Sequence, residues 1–106
     1  MNKMFNPPHP GTIVAESVEA LGLSAREFAR HLGVAPSSVT RVFNGKGPIT
    51  PEMAVRISAA MPGPRAATWL AMQAEYDAWQ AEKNVDLSDV IPIGMKTIVV
   101  SGRINN

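Results

Sequence analysis

The sequence contains no cysteine, which excludes both a disulfide framework and a thiolate metal site. Aromatic residues are scarce at 6%, and charged residues reach only 18%, a composition that fits neither a disordered nor a membrane chain. No stretch approaches the ~20 consecutive apolar residues that a membrane helix requires. No apolar run follows Lys3 in the N-terminal MNKMFNPPHPG, so no secretory leader is expected there. His9 and His31 are the two histidines, and neither has an acidic partner at ligand spacing, so no metal and no cofactor is expected. A Gly-rich phosphate loop and a Ser/His/Asp pattern are also missing, which leaves no catalytic constellation and no expectation of an enzyme. What remains is 106 residues with 45% hydrophobic content, enough for one compact core. A soluble, cytoplasmic protein is expected.

The net charge of +1 hides a strong polarity along the chain. Residues 24–65 set Arg26, Arg30, Arg41, Lys46, Arg56 and Arg65 against Glu27 and Glu52, a balance of +4. Residues 66–89 set Lys83 against Glu75, Asp77, Glu82, Asp86 and Asp89, a balance of −4. Phosphate binding requires a local basic patch, not a high overall pI. Charge alone does not separate such a patch from an ordinary solvated face.

Local signals divide the chain into five helices. Residues 1–8 read as a loose arm. Ile13, Val14, Val18 and Leu21 recur at helical spacing from about Thr12, and Gly22 closes that helix. Ser24-Ala-Arg-Glu27 is a capping box, opening a helix that buries Phe28, Ala29 and Leu32 and stops at Gly33. Pro36 suits the first position of the next helix, which buries Val39, Val42 and Phe43 and ends at Asn44-Gly45. Thr50-Pro51-Glu52 starts a fourth helix with Met53, Ala54, Ile57 and Met61 turned inward. Pro62-Gly63-Pro64 breaks it, and a fifth is predicted over residues 65–82. Val90–Ile93 and Thr97–Val100 have β-branched character, which suits a short strand, an extended partner-binding segment or a disordered tail. The expected fold is all-α: a compact five-helix bundle of residues 9–83, with residues 84–106 as a tail.

The informative unit runs from Ser24 to Gly45. Gly33 permits the tight turn between two steeply crossed helices, and the small Ala29 lets them approach. Such a corner projects the exposed side of its second helix into a major groove. The candidate DNA-binding residues are Ser37, Ser38, Thr40 and Arg41 on that helix, with Ser24 and Arg26 before it and Asn44 and Lys46 after it. Arg41 can pair bidentately with guanine, and the hydroxyls can meet base edges or phosphates. The helical corner could instead be a protein-interaction module that binds no DNA. Trp69, Tyr76 and Trp79 share a helix face, the candidate dimer interface, with plain core packing as the alternative. A single helix-turn-helix reads half an operator, so a homodimer on a palindromic site is expected.

With these residues in register, Leu23 to Gly45 resembles the helix-turn-helix of phage-repressor-like (XRE) regulators. His9-Pro10-Gly11, Gly22-Leu23-Ser24, Asn44-Gly45-Lys46, Ile49-Thr50-Pro51-Glu52-Met53-Ala54 and Trp69-Leu70-x-x-Gln73-x-x-Tyr76-Asp77 are similar to HigA-type antitoxins. The resemblance covers about residues 9–83. It implies a dimeric repressor of its own operon that neutralises a HigB-type toxin, an mRNA-cleaving ribonuclease. A stand-alone regulator with no toxin is the alternative. Ala35 and Pro36 depart from the family pattern, where Ser and a basic or polar residue are frequent. That removes one contact and shifts the burden to Ser37, Ser38, Thr40 and Arg41.

Overall fold

The computed structural model describes residues 6–94; Thr97–Val100 and the first five residues of the arm lie outside them. The described residues form α1 (Pro10–Ala20), α2 (Ala25–Leu32), α3 (Pro36–Phe43), α4 (Pro51–Ala60) and α5 (Ala66–Asn84), with no strand among them. The all-α, five-helix expectation is therefore met. No helix of the described residues is long and apolar enough to cross a membrane.

Local rules account for several of the helix ends. α1 starts at Pro10, earlier than its apolar spacing suggested, because His9 serves as its cap: the Gly11 N–H donates to His9 Nδ1 at 2.9 Å. In α2 both halves of the capping box form, with Glu27 N–H on Ser24 Oγ at 3.1 Å and Ser24 N–H on Glu27 Oε1 at 2.8 Å. Hydrogen bonds to the carboxylate from the Ser24 backbone N–H and then its hydroxyl, assisted by Arg30 and His31, hold the Glu27 carboxyl below the usual range. Gly33 has φ +75°, a region that a residue with a Cβ enters only at a cost. From there Val34 N–H reaches back to Ala29 O at 3.1 Å and Gly33 N–H to Arg30 O at 3.2 Å, a Schellman closure of α2. The same pair of bonds ends α3, from Lys46 N–H to Arg41 O and Gly45 N–H to Val42 O.

The core is built from one stripe of each helix: Val14 and Val18, then Phe28, Ala29 and Leu32, then Val39 and Val42, then Ala54 and Ile57, and Trp69. Ile49, in the loop between α3 and α4, joins them at 1% exposure. Burying side chains of this size contributes about 1.5–3 kcal/mol each, so this stripe holds the α2–α3 corner against α1 and α4. Met53, Met61 and Phe43 are half-buried around it.

Packing decides two points that spacing left open. Leu21 is not a core residue; it is 55% exposed. It occupies the C-cap of α1, where the chain turns away, and Leu23 packs against the core in its place. Trp69 is only 1% exposed, so it has no surface left for a dimer interface. It lies in the first turn of α5, which packs on both α1 and α4, and its indole fills the space between the helices. Among the described residues its buried Nε1–H has no hydrogen-bond partner.

Candidate nucleic-acid interface

α3 sits against α2 and α1 with its opposite side in solvent. Val39 and Val42 point inward, while Ser37, Thr40 and Arg41 are exposed and Ser38 is half-exposed. This follows from helical period: Val39 and Val42 are three apart, so the residues between and before them face outward.

The two ends of α3 are held very differently. Its N-cap is Ala35, which offers no side-chain acceptor. Ser38 N–H finds Ala35 O at 3.0 Å, and no hydrogen bond ties the Ser37 or Ser38 hydroxyl to the described protein. At the other end Arg41 Nη2 donates to Lys46 O at 3.2 Å. A Cβ on Gly47 would lie 3.3 Å from Arg41 Nε, so the bare glycine leaves room for the guanidinium. Ser38, Arg41, Gly47, Thr50 and Met53 help to line a groove of about 300 Å³ between α3 and the start of α4.

Thr40 Oγ1 donates to Pro36 O at 3.1 Å. Its proton is therefore used within the helix, and its lone pairs remain to accept from a base amino group. Ser24 Oγ accepts from Glu27 N–H, which fixes this exposed side chain at the start of α2, where helix N-termini meet phosphates. Arg26 and Arg30 are exposed and flank a shallow pocket with Ala29, Val34 and Pro36, beside the start of α3. Asn44 and Lys46 are exposed in the loop beyond its end. The eight candidate residues thus fall on α3 and on the two segments that flank it in the chain.

Arg56 counts toward the basic middle of the sequence but is otherwise engaged. Its guanidinium meets Glu52 at 2.9 Å and donates to Leu32 O at 2.8 Å. It therefore caps the end of α2, and Gly33 sits against it; a Cβ there would be 3.2 Å from Nη1. Among the described residues, Arg26, Arg30, Arg41 and Lys46 are the exposed cations on α3 and the segments that flank it in the chain.

Several residues support this surface in ways that the sequence did not assign to them. A Cβ on Gly11 would fall 1.9 Å from Val42 O, so only glycine lets α1 abut the end of α3. Gln73, 6% exposed, accepts the Ile49 N–H on Oε1 at 2.8 Å. Residues 69, 73 and 76 fall on one helical stripe, and a polar residue at a stripe position was the available signal. Asp77 is more than surface charge, because its Oδ1 accepts from Gln73 Nε2 at 3.0 Å. On the next turn Tyr76 stacks edgewise on His9, with ring centroids 4.9 Å apart, and lies 6.0 Å from Trp79. Lys83 Nζ covers the Trp79 ring at 3.9 Å. Among the described residues no group of His, Asp and Glu is arranged to hold a metal ion.

A family model described as Helix-turn-helix matches residues 14–66, from α1 to the first residue of α5. The chain is 44% identical over 86 residues to the uncharacterized HTH-type transcriptional regulator YddM of Escherichia coli (strain K12), covering 81% of this chain and 90% of that one. Among solved structures it is similar to an addiction module antidote protein of a HigA family from Coxiella burnetii. The TM-score is 0.65 at 33% identity, over 77% of this chain and 98% of that chain. PA4674 from Pseudomonas aeruginosa, solved in complex with its operator DNA (28 bp), gives a TM-score of 0.68 at 25% identity. The match covers 82% of this chain and 99% of that chain.

Proposed function

This chain belongs to the helix-turn-helix family, and we propose that it is a sequence-specific transcriptional repressor that serves as the antitoxin of a toxin–antitoxin pair. The observation that carries the DNA-binding reading is α3 itself, with Ser37, Ser38, Thr40 and Arg41 turned outward from a corner whose apolar side is sunk in the core. Similarity to a protein solved in complex with its operator DNA supports it. Similarity to an antidote protein of a HigA family supports the antitoxin role.

In this reading α3 enters the major groove. Arg41 exchanges its bond to Lys46 O for guanine O6 and N7, and Ser37, Ser38 and Thr40 meet neighbouring base edges or phosphates. Ser24, Arg26, Asn44 and Lys46 anchor the flanking phosphates, fixing register without reading sequence. Residues 9–83 form the DNA-binding domain, with residues 1–8 as an arm and 84–106 as a tail. Two copies pair through α5, where Tyr76 and Trp79 are half-buried within one chain and retain surface for another. Their recognition helices then meet half-sites about 34–36 Å apart, or a multiple of that. No catalytic role is assigned, and the cytoplasm, where operator DNA is found, is the expected location.

Footprinting on the promoter of its own gene tests the DNA-binding reading. Two protected half-sites are expected, and both Ser38→Ala and Arg41→Ala should weaken them. Variants that protect the promoter as well as wild type would overturn the site assignment. The second reading, a stand-alone regulator without a toxin, is favoured by the likeness to a relative named only as a transcriptional regulator. Co-purification with the product of the adjacent gene separates the two.

A further inference from the structure

The loop that leaves α3 is held by side chains outside the helix-turn-helix pair. Ile49 N–H, buried in that loop, has Gln73 Oε1 as its acceptor, 24 residues along the chain. A backbone N–H can only donate, so the amide end that faces Ile49 must be the oxygen. The other end is fixed by Asp77, whose Oδ1 receives Nε2 at 3.0 Å. The amide thus cannot turn over without losing both bonds. On the far side of the same loop the His9 ring packs against Gly45, where a Cβ would lie 3.6 Å from Cγ. Asp77, Gln73, Tyr76, His9 and Lys46 line one pocket of about 250 Å³.

We propose that Gln73 is a positioning residue for DNA binding: through Ile49 it sets the path of residues 44–49, and so the placement of Asn44, Lys46 and Arg41. The inference rests on reading those three residues as phosphate and base contacts. Gln73 touches no DNA itself. It acts because Lys46 is three residues before Ile49, and because Lys46 O receives the Arg41 guanidinium. A loop released at Ile49 lets both drift. A buried N–H left unpaired carries its full desolvation penalty, which favours a rearranged loop over a strained one.

The geometry provides its own control, a pair whose hydrogen bond can be reversed. Gln73→Glu at pH 8 brings two carboxylates together, about 3 Å apart at the Gln73–Asp77 spacing, and they repel. Asp77→Asn alone keeps an amide oxygen that still accepts from Gln73. In the double variant the new asparagine NH₂ donates to the new carboxylate, whose free oxygen accepts from Ile49. The measurement is fluorescence anisotropy of full-length protein on a promoter duplex, across a range of salt concentrations. Gln73→Glu should bind about tenfold more weakly, and the slope of log K against log salt should fall by about 0.9, the loss of one phosphate contact. Asp77→Asn should match wild type, and the double variant should recover both affinity and slope. Gln73→Met, uncharged and of similar length, should also weaken binding but should gain nothing from Asp77→Asn.

A purely structural role would lower thermal stability while leaving affinity and slope of the folded protein unchanged; that result overturns the proposal. So does a double variant that remains as weak as Gln73→Glu. Should Gln73→Glu fail to fold, the same readings on Gln73→Met decide the matter. If the wild-type chain does not bind the duplex at all, the DNA-binding reading fails and the positioning role fails with it.

Discussion

The two ends of α3 obey opposite rules. At its start the N-cap is Ala35, without a side-chain bond, and the Ser37 and Ser38 side chains face outward free of any tie to the described protein. At its end Gly45 turns the chain left-handed, Gly11 abuts Val42 O and Gln73 holds Ile49, while the exposed Arg41 rests on Lys46 O through a single bond and stays available to DNA. A surface that must meet a ligand with its hydrogen bonds unspent cannot also use them for stability. The free end therefore offers side chains to DNA, and the tied end fixes where they stand.

If that division is right, substitutions at the tied end should destabilise the fold. Gly11→Ala should have the largest effect, since the backbone at Val42 O cannot yield as a side chain would. Overpacking of this kind costs about 1–3 kcal/mol and sometimes more, which at roughly 4–8 °C per kcal/mol is a large fall in Tm by circular dichroism. An unchanged Tm would mean that α1 and α3 are not locked together there.

The free end should behave in the reverse sense. Ala35→Ser supplies the missing cap of α3, and removing such a cap typically costs about 0.5–2 kcal/mol; thermal unfolding should rise by a corresponding few degrees. Arg26→Ala is expected to leave Tm within the error of a surface change, about 0.5 kcal/mol. It should weaken binding to every duplex alike and lower the salt slope by about 0.9.

The smallest effect concerns pH and belongs to the tied end. Burial lowers the His9 pKa from its ordinary 6.5, against the opposing pull of Asp77 and of the Gly47 backbone. The folded protein therefore takes up this proton less readily than the unfolded chain. This contribution to stability is complete above about pH 6.5 and declines as pH falls through that value. Protonation also removes the Nδ1 acceptor used by Gly11. Urea midpoints between pH 7.5 and 5.5 should drop for wild type and less so for His9→Asn; equal slopes would refute the assignment.

The same contrast explains what could be read from the sequence. The corner was legible because each of its parts is decided within a few residues: Ser24 with Glu27, Gly33 with Ala29 and Arg30, Pro36 at a helix start, Asn44-Gly45 at a helix end. The apolar stripes of α2 and α3 were legible for the same reason. Gln73 on Ile49, Arg56 on Leu32 O and Gly11 against Val42 O join residues 24, 24 and 31 positions apart, and no local pattern encodes those distances. Whether Trp69 and Leu21 end in the core was left open by spacing on similar grounds. Periodicity gives the face of a helix, but only packing decides whether that face, or a residue at its last turn, ends in the core.

The most direct test of the account is the affinity of wild type and Arg41→Ala for operator DNA and for an unrelated duplex at one salt concentration. A bidentate base contact is worth about 1–3 kcal/mol of discrimination. Arg41→Ala should therefore lose roughly tenfold to a hundredfold on the operator and much less on the unrelated duplex, with Tm little changed. An equal loss on both would make Arg41 a phosphate contact, and no loss on either would remove α3 as the reading head.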